Sequence, residues 1–226
     1  MNLTEHYNQL YKSASESILN GNYSLDSKIS DISDSRFGIT LLLRPSEKIK
    51  ANIQSFLKEL KAIEPHQYYY PDSDIHITVM SIISCYEGFS LEKITIENYI
   101  EIIRKSIIDL DEIKIQFRGI TGSNSAIMIQ GFPSNGSLNN LRNRLRENFK
   151  NTALEQSIDS RYTISTAHST VMRFKEKLQN PEQLMAVTEK FRDYNFGEFK
   201  ADKLELVFND WYQRERNTIQ LKDFEL

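Results

Sequence analysis

Apolar positions along the chain follow two spacings, one typical of helices and one typical of strands. Near the N-terminus, apolar residues recur about every 3.6 positions, which predicts a helix, and a polar run rich in Ser and Asp follows. The apolar positions are Leu3, Tyr7, Leu10 and Tyr11. We expect residues 1–36 to be a helical extension and linker in front of a single domain formed by residues 37–226.

The pattern in residues 37–226 predicts one order of elements twice: strand, helix, strand, helix, strand. The predicted segments are residues 37–43, 49–60, 75–83, 96–110 and 113–117 in the first half, and residues 125–132, 138–149, 168–174, 181–191 and 203–208 in the second. Such self-similarity indicates a divergent internal duplication.

The middle strand of each half carries the same short motif, His-x-Thr-Val-Met, at His76 and at His168. Side chains alternate between the two faces of a strand, so each histidine shares a face with the threonine two positions on, Thr78 or Thr170. Ser169, between His168 and Thr170, faces the core and is expected to need a backbone partner. Two facing lobes would present two imidazoles and two hydroxyls to one ligand.

These residue types point to chemistry at phosphorus. Two imidazoles are suited to paired proton transfer near neutral pH, one acting as base and the other as acid. Threonine hydroxyls donate hydrogen bonds to phosphoryl oxygens. We therefore expect attack at phosphorus with protonation of a leaving oxygen.

The composition indicates which kinds of partner and which cellular compartment to expect. The formal net charge is −3, so the protein lacks the excess of basic residues expected of one that binds long duplex nucleic acid. The single cysteine, Cys85, excludes an internal disulfide, favours a reducing compartment and is interpreted as a packing residue. No apolar run approaches the length of about 18 residues that a membrane span needs, and no signal-peptide pattern opens the chain. We expect a cytoplasmic protein without a membrane partner.

Three other interpretations of the motifs remain open. Both histidines could be core residues, although packing does not explain the threonine beside each one. A metal site could use His76 with Asp72 or Asp74, but zinc takes three or four protein ligands and no further spacing supplies them. The third alternative is a nucleotide- or RNA-binding protein that keeps these residues without turning its ligand over.

The two motifs, His76-Ile77-Thr78 and His168-Ser169-Thr170, resemble those of the 2H phosphoesterase superfamily. This group includes the bacterial RNA 2′,3′-cyclic phosphodiesterases, also called 2′-5′ RNA ligases. The resemblance implies an α+β fold of two pseudo-twofold-related lobes, each with an antiparallel sheet and flanking helices, around a central cleft. It also implies phosphodiester chemistry without metal or cofactor, with the two histidines as general acid and base and Thr78 and Thr170 holding the phosphate. Arg173 matches a common position of the family.

The expected activity is hydrolysis of a cyclic 2′,3′-type or a 2′-5′ phosphodiester in a small nucleotide or at an RNA end. Aromatic rings can stack on a nucleobase, and an arginine can hold a phosphate. On this basis, the candidates for substrate binding are Arg173, Tyr68, Tyr70, Trp211 and Tyr212. Arg142, Arg144 and Arg146 are spread around one predicted helix and are interpreted as a solvated face. The sequence leaves open the physiological substrate, the oligomeric state and which histidine is the acid.

Overall fold

The chain folds into two antiparallel β-sheets with helices packed against them. The computed structural model describes residues 2–226. Its α-helices are α1 Leu3–Leu19, α2 Glu47–Ile63, α3 Ile96–Ile107, α4 Ser137–Lys150 and α5 Pro181–Lys190. Its strands are β1 Arg36–Leu43, β2 Tyr68–Tyr69, β3 Ile77–Glu87, β4 Lys114–Gly122, β5 Ala126–Pro133, β6 Ser169–Arg173, β7 Asn195–Lys200, β8 Lys203–Asp210 and β9 Ile219–Glu225.

The first sheet has the strand order β3-β1-β8-β9, and the second has the order β2-β6-β5-β4-β7. The predicted α+β class with two antiparallel sheets is confirmed. In addition to the predicted strands, β2, β7 and β9 form at the sheet edges. They are short or largely exposed, and an edge strand of this kind carries a weak apolar pattern.

The third strand of each half crosses to the other sheet. From the first half, β4 pairs with β5, and from the second half, β8 pairs with β1. The run β3-β1-β8 in one sheet therefore corresponds to the run β6-β5-β4 in the other. Helix α4, from the second half, likewise packs on β3 of the first sheet, and α2, from the first half, packs on β6 and β7 of the second. Neither lobe is built from one half of the sequence alone.

Both motif strands contain a bulge directly after their motif threonine. In the ladder between β1 and β3, the partner of Leu41 is Met80 but the partner of Leu42 is Thr78, so Val79 is the extra residue. In the ladder between β5 and β6, Val171 is skipped in the same way, because Met172 and Thr170 pair with consecutive residues. A bulge reverses the alternation of side chains beyond it. The two halves thus share a local irregularity as well as a motif.

The N-terminal segment lies against the second sheet, where α1 contacts β4. Tyr7 is fully buried, and its hydroxyl donates a hydrogen bond to the carbonyl oxygen of Gly131 at 3.1 Å. Further along the segment, the carboxylate of Asp26 accepts a hydrogen bond of 2.7 Å from the hydroxyl of Tyr212. No helix among residues 2–226 is both long and apolar enough to cross a membrane.

Candidate active site

The structure brings both His-x-Thr motifs to one cavity of about 270 Å³. His76 directly precedes β3, His168 directly precedes β6, and both line the cavity together with Thr78 and Thr170. On both strands the residues that flank the threonine are fully buried, as the alternation predicts. Because β3 and β6 belong to different sheets, the cavity lies where the two sheets meet.

The ring of His76 is oriented by a backbone carbonyl. Its Nδ1 lies 2.7 Å from the carbonyl oxygen of Asp74, and a carbonyl only accepts hydrogen bonds. Neutral His76 therefore carries its proton on Nδ1 and leaves a lone pair on Nε2. The loop of Asp74 is itself fixed, because the Asp74 carboxylate accepts a hydrogen bond from the backbone N–H of Glu215 at 3.0 Å.

The ring of His168 is oriented by a residue at the equivalent position. Its Nδ1 lies 2.7 Å from the hydroxyl of Thr166, two residues upstream, just as Asp74 lies two residues upstream of His76. A hydroxyl can donate or accept, so this contact permits either tautomer of His168. In both motifs the contact occupies Nδ1 and leaves Nε2 available.

Burial lowers the pKa of both imidazoles to about 4. For His76 the positive charges of Arg44 and Arg173 lower the pKa further, while the hydrogen bond to Asp74 raises it. For His168 the largest contribution after burial comes from the charge of Arg142. Both histidines are thus neutral at neutral pH in the ligand-free protein.

Arg173 lines the cavity three positions after Thr170. Strict alternation would turn it to the opposite face from Thr170, and the bulge at Val171 turns it back. Its Nε donates a hydrogen bond of 2.8 Å to the hydroxyl of Tyr70, and its Nη1 lies 3.6 Å from the carboxylate of Asp26. Among residues 2–226, its Nη2 has no protein acceptor, which leaves N–H groups for an anionic ligand.

The aromatic candidates divide into two groups. Tyr70 and Trp211 line the cavity, and the guanidinium of Arg161 lies 4.1 Å from the centre of the Trp211 ring system. The structure does not bring Tyr68 or Tyr212 to the cavity wall. Tyr212 is fully buried, and the ring of Tyr68 packs edge-on against Tyr70 with centroids 5.1 Å apart.

Much of the cavity wall comes from residues that the sequence did not single out. They belong to the irregular segment 151–168, to the first sheet and to the chain after β8. They are Thr40, Ser81, Ser84, Asn209, Gln213, Ser157, Asp159, Ser160, Arg161, Tyr162 and Ile164. The segment is anchored to β3 by a hydrogen bond of 2.8 Å from the backbone N–H of Ser157 to the carbonyl oxygen of Ile82. The segment has no apolar period, so its sequence predicts neither a helix nor a strand there.

Two expectations about polar residues were wrong. Arg142 is not on a solvated face of α4 but is only 1% exposed, because its side chain points at the backbone of β3. Ser169 is buried as expected, yet among the described residues its hydroxyl has no hydrogen-bond partner. The ladder between β5 and β6 already uses the backbone groups around Ser169.

Cys85 lines the cavity wall without the properties of a nucleophile. Burial raises the pKa of its thiol to about 12, so the thiol stays protonated at neutral pH. Its closest polar contacts are with Asn209, whose backbone carbonyl lies 3.6 Å from Sγ. Among residues 2–226, no group of three or more His, Cys, Asp or Glu side chains is arranged to hold a metal ion.

Known structures share this fold. The protein TT0787 of Thermus thermophilus superposes with a TM-score of 0.59 at 14% identity, covering 83% of this chain and 97% of that one. E. coli LigT complexed with 3′-AMP gives a TM-score of 0.55 at 13% identity, covering 84% and 98%. A structure described as a phosphoesterase gives 0.55 at 16% identity, with the same coverage. A comparison with curated proteins finds no match.

The match to a family model of 2′5′ RNA ligase-like domains, together with the shared two-sheet fold, shows that the chain is a member of the 2H phosphoesterase superfamily. Within it, the chain belongs to the family of AKAP7 2′5′ RNA ligase-like domains, which it matches over residues 37–215. The matched region contains both motifs and every residue named in the cavity wall. The helix α1 and residues 20–36 lie outside the match.

Proposed function

We propose that this protein is a metal-independent phosphodiesterase that hydrolyses a cyclic 2′,3′-type or a 2′-5′ phosphodiester in a small nucleotide or at an RNA end. The observation that carries the proposal is the placement of His76, Thr78, His168 and Thr170 in one cavity, with each imidazole held at Nδ1. Structures of E. coli LigT with 3′-AMP, ATP and NADP⁺ support a nucleotide ligand.

The reaction on a 2′,3′-cyclic phosphate needs one proton acceptor and one proton donor. Nε2 of one histidine takes a proton from water while the water oxygen bonds to phosphorus. The bond from phosphorus to one ribose oxygen breaks, and Nε2–H of the other histidine, in its protonated form, gives that oxygen a proton. The product is a phosphomonoester with one free ribose hydroxyl. Thr78 and Thr170 donate hydrogen bonds to the non-bridging oxygens, where negative charge grows.

The low pKa values of the two histidines fit this scheme once an anion is bound. A phosphodiester placed between the rings favours the charged form of an imidazole and raises its pKa. The substrate would therefore bring one histidine to the protonated state that the acid step requires. Nδ1 of His76 donates to Asp74 whether the ring is neutral or charged, so this contact suits either role.

The cavity extends from the motifs along the first sheet, and we place the nucleoside part of the substrate there. Thr40, Ser81 and Asn209 form the wall on the strands, and Trp211 with Tyr162 supplies aromatic surface beside it. A base stacked on an aromatic ring gains about 1–3 kcal/mol. The three strand residues are neutral and suit the edges of a base and a ribose, while the cation Arg161 lies beside Trp211 at the same wall.

The test is a panel of 2′,3′-cyclic nucleotides and 2′-5′-linked dinucleotides, incubated with the protein in EDTA and read by chromatography. We expect turnover in EDTA, with a loss of roughly 10²- to 10⁴-fold on His76→Ala or His168→Ala. Full activity in both variants would refute the assignment, and loss in EDTA with rescue by a divalent ion would refute the metal-free mechanism. Nucleotide binding by calorimetry without any product would instead support the non-catalytic alternative.

A further inference from the structure

A buried arginine on α4 connects the two motifs. The Nε of Arg142 donates to the carbonyl oxygen of Val79 at 3.0 Å. Its Nη2 donates to the carbonyl oxygens of Thr78 at 3.0 Å and of Thr166 at 2.8 Å. Thr78 is the motif threonine of β3, Val79 is the bulged residue after it, and Thr166 carries the hydroxyl that contacts His168. One guanidinium thus contacts the backbone of the first motif and the backbone two residues before the second.

The position of Arg142 is not explained by packing. Its neighbours on the buried side of α4 are fully buried apolar residues, which are Leu138, Leu141, Leu145 and Phe149. A leucine or methionine at position 142 would complete that apolar side without burying a charge. Among residues 2–226, no carboxylate forms a salt bridge with Arg142, whose partners are carbonyl oxygens and the amide oxygen of Asn139 at 3.5 Å. Burying a charge without a counter-ion is costly.

The three carbonyl contacts have a geometric consequence for the site. Since β3 and β6 lie in different sheets, no ladder of backbone hydrogen bonds fixes the distance between their motifs. A bulge leaves backbone groups without ladder partners, and the planar guanidinium satisfies the carbonyl of Val79 while reaching across to Thr166. The same contacts hold the backbone of Thr78, whose side chain lines the cavity, and of Thr166, whose hydroxyl contacts Nδ1 of His168.

We propose that Arg142 is a positioning residue that fixes the two His-x-Thr motifs relative to each other and places a positive charge without a salt-bridge partner near His168. The inference rests on the proposed function for its catalytic consequence. Burial lowers the pKa of Arg142 to about 10, which keeps the group charged at neutral pH. The charge in turn lowers the pKa of His168, and the other charged or titratable groups near that ring are Arg173, His6 and His76.

Two variants separate the two parts of this role. Arg142→Met removes the charge and the hydrogen bonds at similar volume. Arg142→Lys keeps the charge, but an ammonium group lacks the planar fork that reaches three carbonyls at once. The matched control is Arg144→Met, because Arg144 lies on the same helix and donates to the carbonyl oxygen of Ile108 on the other side, away from the motifs.

Two measurements are made on each variant. The first is kcat and KM on the best substrate of the panel, and the second is the titration of the His168 ring in the ligand-free protein by nuclear magnetic resonance. We expect Arg142→Met to lower kcat by about 10- to 100-fold, as a small misplacement of reacting groups does, and to raise the pKa of His168. Arg142→Lys should lower kcat while leaving the His168 titration near that of the wild type. Arg144→Met should change neither quantity.

Wild-type kcat in Arg142→Lys would overturn the positioning role, and an unchanged His168 titration in Arg142→Met would overturn the electrostatic role. If Arg142→Met does not fold, Arg142→Lys still tests the positioning role. Arg142→Gln then tests the electrostatic role, because a raised pKa of His168 in that variant supports it and an unchanged pKa overturns it. If the wild type turns over no substrate, the proposed function fails but this inference remains testable. Binding of 3′-AMP should then weaken roughly tenfold, or by about 1.4 kcal/mol, in Arg142→Met, and equal binding would overturn the inference.

Discussion

Mild acid should destabilise the ligand-free protein through the two motif histidines. The pKa of each falls from 6.5 in a free side chain to about 4 in the folded protein. Between those values the unfolded chain binds more protons than the folded one, so the free energy of unfolding rises with pH. The stabilisation is complete above about pH 6.5 and is lost as the pH falls toward 4. The perturbation is therefore a change from pH 7 to pH 5.

The size of the effect follows from the difference between folded and unfolded pKa values. With a pKa of 6.5 in the unfolded chain and about 4 in the folded protein, each histidine lowers the free energy of unfolding at pH 5 by about 2 kcal/mol relative to neutral pH. Solvent in the open cavity screens the charged rings, and we expect about 1–2 kcal/mol each, or about 2–4 kcal/mol for the pair. A typical domain is stable by only about 5–15 kcal/mol, so this is a large fraction.

Urea unfolding at pH 7, 6 and 5 measures this loss. Trp211 is the only tryptophan of the chain and lies in the cavity wall, so its fluorescence reports on the transition. With a urea dependence of about 2 kcal/mol/M, the midpoint should fall by about 1–2 M between pH 7 and pH 5.

The matched control is the double variant His76→Gln with His168→Gln, which keeps polar side chains that do not titrate. It should lose much less stability than the wild type over the same interval. The low pKa of Asp34, set by its hydrogen bond with Arg36, acts only below about pH 4 and so outside the interval. If the double variant loses as much stability as the wild type, the two rings are not the groups responsible, and the burial argument fails.

Three further predictions concern the site and its support. Binding of 3′-AMP at pH 7, where the free nucleotide is mainly the dianion, should take up as much as one proton, seen by calorimetry in buffers of different ionisation enthalpy and absent from the double glutamine variant. Gly131→Ala should lower the free energy of unfolding by about 1–3 kcal/mol, since a Cβ there collides with the carbonyl oxygen of Ala167. Gly136→Ala is the control and should leave the urea midpoint unchanged, because there is space around its Cβ. Tyr7→Phe should cost about 1 kcal/mol of thermal stability, and no loss would show that its hydrogen bond to Gly131 contributes nothing.

The two motifs could be predicted from the sequence because their geometry is local. A period of two fixes which side chains share a face, and this places His76 with Thr78 and His168 with Thr170 without knowledge of the rest of the fold. The duplicated order of elements then indicates that the two faces belong to one site. The resemblance to the 2H phosphoesterases then indicates which class of chemistry to expect from these residues.

Other parts of the site depend on irregularities that a period cannot show. Strict alternation turns Arg173 away from the face of Thr170, and only the bulge at Val171 turns it toward the cavity. Arg142 looks like a surface residue because charged side chains on helices usually are, and its three acceptors come from distant parts of the chain. Tyr162 lies in a segment without helix or strand, where no pattern assigns a position.

The exchange of strands between the halves limits how this site can open. Moving the two lobes apart as rigid bodies would pull on the connections to β4 and β8, each of which is paired into the sheet of the other half. The contacts of Arg142 with Thr78 and Thr166 add a direct link between the motifs. The wall formed by segment 151–168 contains no helix or strand. It is joined to β3 by the hydrogen bonds of Ser157 with Ile82 and Ser84, and to α4 by the ion pair between Asp159 and Arg146. We therefore expect substrate to enter past that segment while the distance between the two histidines stays fixed.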